Sequence, residues 1–277
     1  MRFLKQLLAV AAVTFVGGNI VGAVQGIPLL TLPLGIATAV LAVLTYAWVV
    51  RRTERREPTE VALAGAVAAT RRGVLIGVGM CVAVIVNIAL VGDYQVNGMG
   101  SVMGMLGLFG FMAAAAVTEE LLFRGVLFRI VEERTGTWIA LMLTGAIFGL
   151  AHLFNPNANL WGAIAIAVEA GFMLGACYAA TRNLWVPIGL HFGWNFALAG
   201  IFGAEVSGND TAKGLLDAAT SGSTLISGGK FGPEASLYAV LAGVVLTVVF
   251  MRLARRRDRI VPRRRAARVD PTATLVK

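Results

Sequence analysis

Seven residues that sit among apolar neighbours have the types to do chemistry: Glu119, Glu120, Arg124, His152, Glu169, His191 and Asn195. Both histidines of the chain are among them. A polar or ionisable group in an apolar helix is costly and marks a functional site by default. Spacing sorts the set. Glu120 and Arg124 are four apart, share a helical face and can pair. Phe148 and His152 are four apart, as are His191 and Asn195, so the last two can aim at one spot. A carboxylate, two imidazoles and an amide converging in a low-dielectric cavity suit water activation. The carboxylate is then the general base, and His and Asn donate to an oxyanion. The same residue types admit a second route, in which Glu119, His152 and His191 hold Zn²⁺ with a position open for water. No H-E-x-x-H motif, no G-x-S-x-G elbow and no serine beside either histidine offers another nucleophile.

The elements that must position these residues are membrane spans. Of 277 residues, 57% are hydrophobic and 14% charged, and the mean hydropathy is +0.77. A soluble domain has about 25% charged residues. A span needs roughly 20 apolar residues, and eight runs qualify: Leu7–Val24, Ile27–Val50, Val74–Gly92, Val102–Phe123, Trp138–Phe154, Leu160–Ala180, Leu184–Gly203 and Ala235–Met251. The expected fold is all-α, a polytopic helix bundle with both termini cytoplasmic. We divide it into N-terminal spans with a basic loop (1–101), a catalytic helical core with an outside loop (102–234), and a last span with a basic tail (235–277).

The first run, preceded by Arg2 and Lys5, has some signal-peptide character, but its length and the span that follows at once favour a retained helix. The net charge is +9. Its arginines flank the spans, so it reads as the positive-inside signal and not as a nucleic-acid surface. The expected location is a bacterial inner membrane. Nine arginines and one acid occupy Arg252–Arg268, a topological anchor that also suits anionic lipid headgroups. Cys81 and Cys177 lie far apart in apolar runs and read as small buried residues.

Depth ties two of the motifs together. The helical pattern from Val102 runs to about Arg134, and Thr135-Gly136-Thr137 is the turn. Glu120 lies 16 residues before Gly136 and His152 16 after it. In an antiparallel pair both then sit roughly 24 Å from the turn. We expect the cluster in the middle or the cytoplasmic half of the membrane, with its cavity opening to the cytoplasmic half of the bilayer.

Glu119-Glu120-Leu-Leu-Phe-Arg124-Gly125, Phe148-Gly-Leu-Ala-His152 and His191-Phe-Gly-Trp-Asn195 occur in that order. This series resembles the CAAX protease and bacteriocin-processing (CPBP, or Abi) family of intramembrane proteases, whose pattern is E-E-x-x-x-R, F-x-x-x-H and H-x-x-x-N/D. The resemblance covers roughly Val102–Glu234 and extends to the stretch Thr181–Pro187 and to Gly-Gly-Lys-Phe-Gly-Pro-Glu234. It implies a peptidase in which Glu119 is the base for the attacking water. Glu120 pairs with Arg124, His152 orients or activates the water, and His191 with Asn195 polarises the scissile carbonyl. The implied substrate is a membrane-embedded or lipidated protein or peptide. The family leaves the need for a metal open. Adjacent residues point about 100° apart on a helix, so Glu119 and Glu120 do not share one role.

Plainer structural readings stand beside these. Glu120 and Arg124 would neutralise each other in lipid. Each histidine could simply bond between helices. Phe148 would pack below His152, and Glu169 either faces the same cavity and tunes the site or, as the favoured reading, bonds to a neighbouring helix. Trp138 and Trp185 read as interfacial anchors, and Gly171 with Gly175 as a close-packing pair. Two further functions remain on the sequence alone. One is a proton-coupled transporter, disfavoured by the lack of an internal repeat. The other is a non-catalytic scaffold or bacteriocin-immunity factor.

Overall fold

A computed structural model describes residues 1–210 and 213–263. Backbone groups in lipid must be satisfied internally, so the apolar runs become helices. Seven helices are long and apolar enough to cross a membrane among the described residues. They are α1 (Arg2–Ala23), α2 (Pro28–Glu54), α3 (Ala66–Leu90), α4 (Val102–Thr135), α5 (Thr137–Phe154), α6 (Leu160–Thr181) and α8 (Leu237–Arg256). The remaining expected span, Leu184–Gly203, forms the shorter helix α7 (185–201), most of whose residues are buried. It starts inside the bundle, where the Leu184 amide donates to the Glu60 carbonyl. The chain is an integral, multi-pass membrane protein. Side chains of Ser101, Asn159 and Ser236 cap α4, α6 and α8, satisfying amides that a helix start leaves free.

The two ends of the bundle differ. At the arginine-rich end, Arg2 pairs with Glu133 and Arg182 with Glu132. Arg129 bonds Glu54 and Gln6. Tyr46 donates to Glu60 at 2.6 Å, and Arg56 grips both oxygens of Glu60 at 2.8 and 2.9 Å. Gly136 makes the α4–α5 turn at φ 85°, a conformation open to glycine. From the tail, Arg257 and Arg259 donate to the Ala180 carbonyl, so these two cap α6. Arg264, Arg265 and Arg268 lie outside the described residues.

At the opposite end, β1 (Tyr94–Met99) pairs antiparallel with β2 (Leu216–Thr220). This ribbon was not expected from the sequence. The loop over 204–236 does more than cover that face. It folds into the bundle and buries Phe231 and Glu234.

Small residues set the spacing of α7. A Cβ at Gly189 would stand 2.2 Å from the Thr70 carbonyl oxygen, and one at Gly193 2.6 Å from that of Val74. Gly73 and Gly77 face α7 just as closely. Helices in lipid gain from such close approach through van der Waals packing. Gly171 likewise abuts the Gly145 backbone of α5, in line with its expected packing role. Both cysteines are free and buried.

Candidate active site

Helices α4 to α7 bring the three motifs to one cavity of about 290 Å³. Glu119, Phe148, His152, Glu169, His191, Asn195 and Glu234 all line it. The equal-depth expectation for α4 and α5 holds. Phe148, one turn before His152, has its ring 4.5 Å from the Arg124 guanidinium carbon, and this stacking links the two helices.

The two glutamates separate as their 100° offset demands. Glu120 is fully buried. One of its oxygens accepts from Arg124 at 2.7 Å and from His191 Nδ1 at 3.0 Å. Arg124 also donates to the Ala170 and Gly171 carbonyls of α6. Glu119 turns to the cavity instead. Its Oε2 lies 4.0 Å from His191 Nε2 and has no hydrogen-bond partner among the described residues.

The histidine tautomers follow from their partners. His152 Nδ1 lies 2.7 Å from the Phe148 carbonyl oxygen. A carbonyl only accepts, so Nδ1 carries the proton and Nε2 of the neutral ring keeps its lone pair. His191 donates from Nδ1 to Glu120, which leaves Nε2 on the cavity side. The Phe148 ring touches both, with centroids 4.7 Å from His152 and 6.3 Å from His191. Phe148 therefore packs as expected and also orients both imidazoles.

Three π-helical segments border the site: Leu121–Phe128 after the glutamates, Ala167–Phe172 around Glu169, and Phe196–Ile201 after Asn195. Such widened turns are frequent at functional sites.

Two expectations are corrected. Glu169 makes no bond to a neighbouring helix: both oxygens are buried without a hydrogen-bond partner among the described residues. The Gly243 backbone of α8 lies directly behind it, where a Cβ would come within 2.5 Å of the Glu169 Cα, and the residue lines the cavity. The cavity also runs the other way from the one expected. Its lining extends from mid-bundle to Asn155, Ser207, Asn209 and Glu234 at the ribbon end, opposite the arginines. The loop brings those groups in, and the ion pairs close the arginine-rich end.

Sequence reasoning did not pick out Glu234 as a site residue. Its carboxylate accepts from Trp194 Nε1 at 3.0 Å and from the Ser207 hydroxyl at 2.8 Å. Burial pushes its carboxyl above the usual range, and the bonds from Ser207 and Trp194 and the nearby His152 only partly offset this. The signal available was the Gly-Pro pair just before an acid in a Gly- and Ser-rich stretch whose nearest other charge is Lys230.

A metal fits poorly. Among the described residues no three His, Cys, Asp or Glu side chains group closely enough to hold an ion.

The family profile described as type II CAAX prenyl endopeptidase Rce1-like matches residues 101–197. This segment, about a third of the chain, is thus similar to that family. All three motifs of the CPBP core fall inside it. A Bacillus subtilis (strain 168) protein carrying the name "Putative membrane peptidase YdiL" is 32% identical over 79 residues, which cover 28% of this chain and 30% of that protein. The match thus spans under a third of the curated relative. No solved structure matches.

Proposed function

We propose that the chain is an intramembrane endopeptidase that hydrolyses a peptide bond of a membrane-embedded or lipidated protein. The observation that carries this reading is that Glu119, with one oxygen unpartnered among the described residues, and His152, whose Nδ1 is held by the Phe148 carbonyl, line one cavity. A water between them is oriented by His152 and gives its proton to Glu119 as it attacks the carbonyl carbon. The developing oxyanion accepts from Asn195 and from His191 Nε2, which carries a proton when the ring, bonded to Glu120 through Nδ1, is the imidazolium. As the tetrahedral intermediate collapses, Glu119 returns the proton to the departing amine. Glu120 acts one layer back: it fixes the His191 ring through Nδ1, and Arg124 holds Glu120. The match of 101–197 to the type II CAAX prenyl endopeptidase profile and the printed name of the Bacillus relative support the same reaction class. The arginine-rich end suits anionic lipid headgroups, and the proposed setting is a bacterial inner membrane.

The test is cleavage by purified protein. Glu119→Gln and His152→Ala should each lower the rate by about 10²–10⁴, the usual worth of a general base, with helicity and elution unchanged. Full activity in either variant would overturn the assignment. Comparing membrane-protein termini between wild-type and Glu119→Gln cells would give the substrate. Metal analysis and chelation of the active protein would separate the glutamate–water route from a zinc route.

A further inference from the structure

The mechanism leaves two cavity carboxyls unused, Glu169 and Glu234. Glu169 is fully buried, and neither oxygen has a hydrogen-bond partner among the described residues. A carboxylate taken out of water with nothing to accept from is costly. Arg124 influences it electrostatically, as does Glu234. Arg124, however, is committed to Glu120 and to two carbonyls of α6. Glu234 adds a second carboxylate, held in place by Trp194 and Ser207. With Glu119, three glutamates line the cavity, and among the described residues no lysine or arginine does. The cavity is therefore an acidic pocket with one carboxylate already oriented and one still without a partner. Its volume of about 290 Å³ lies at the small end of the roughly 300–1,000 Å³ of ligand pockets. That suits a side chain and a short length of backbone.

We infer that Glu169 and Glu234 form a specificity subsite that takes a basic side chain, Lys or Arg, of the substrate close to the scissile bond. This rests on the peptidase reading above. Glu169 supplies the open acceptor. Glu234, fixed from the loop, places the second oxygen pair, and a guanidinium is the group whose planar fork matches such carboxylates. The substrate side chain gives Glu169 the partner that the protein withholds.

The experiment uses the full chain in detergent and acetylated, fluorescently labelled nonapeptides that differ only in a central Arg, norleucine or Glu. Binding is read on the His152→Ala protein, which keeps all three carboxylates, and cleavage on the wild type. We expect the Arg peptide to bind about tenfold or more tighter than its norleucine twin, the scale of one charge-assisted pair, and the Glu peptide to bind weakest. Adding Glu169→Gln should shrink the Arg preference to about threefold or less. It should leave the thermal midpoint unchanged or raised, because no partner is lost. Butylguanidinium should compete with the Arg peptide on protein that retains Glu169. Equal binding of the Arg and norleucine peptides, a preference untouched by Glu169→Gln and by Glu234→Gln, or a lowered midpoint in Glu169→Gln would each overturn the subsite. Arg-selective binding without wild-type cleavage would overturn the peptidase reading alone.

Discussion

At the scale of single residues, Arg124 is held from several sides at once. It is buried, bonds one carboxylate and two carbonyls, and lies over the Phe148 ring. Removing it leaves Glu120 as an uncompensated buried charge, so Arg124→Ala should cost about 3–5 kcal/mol, measured by thermal or denaturant unfolding in detergent. Arg124→Lys should not restore stability, because a point ammonium cannot reach three acceptors on two helices. A variant as stable as wild type would show that the pair is dispensable. Much at this scale was legible in the sequence. Four-residue spacing paired Glu120 with Arg124, and the 100° offset freed Glu119. The fate of Glu169 was not legible, because the direction of its side chain depends on how closely Gly243 of α8 approaches. Glu234 was hidden for a related reason: its partners Trp194 and Ser207 are 40 and 27 residues away.

At the scale of elements, the position of His191 and Asn195 depends on the crossing of α3 and α7. Gly189→Val or Gly193→Val would force backbone apart from backbone. Each should lower the thermal midpoint and abolish cleavage together, whereas Glu119→Gln loses cleavage alone. Normal activity in either valine variant would show that the crossing is slack. The loop between α2 and α3 carries a pH prediction. Burial pushes the Glu60 carboxyl up, but the bonds from Arg56 and Tyr46 outweigh this and hold it below the usual carboxylate range. The unfolded chain therefore binds the proton more readily. The stabilisation from Glu60 is complete above the ordinary carboxylate value, about 4.3, and is lost as pH falls through the folded value. Unfolding midpoints of wild type should drop across that acid range, and Glu60→Gln should flatten the drop. Parallel curves would refute the linkage. Helix existence at this scale followed from apolar run length, α7 included. The ribbon did not, since β1 and β2 are short and more than a hundred residues separate them, and pairing over such a distance leaves no local pattern.

At the scale of the whole molecule, the two ends are held differently. Ion pairs among α1, α2, α4, α6 and their loops tie the arginine-rich end. The other end rests on a two-stranded ribbon and loop contacts such as Asn157 to Asp210. Local opening tracks the density of buried contacts. In hydrogen–deuterium exchange over minutes to hours, amides over 213–230 should therefore exchange well before those over 124–135. Equal protection at the two ends would count against the asymmetry. Its mechanical consequence concerns how a substrate gets in. A bundle clamped at one end behaves as a set of levers with a common fulcrum. A small tilt at the ion pairs gives its largest displacement at the ribbon end and an intermediate one at mid-length, where Glu119 and His191 lie. The mouth of the cavity can widen by ångströms while the reacting groups shift by a fraction of that. Pinning the free end, for instance by a cross-link between cysteines placed at Asn157 and Asp210, would then stop admission without disturbing the alignment of the groups that do the chemistry.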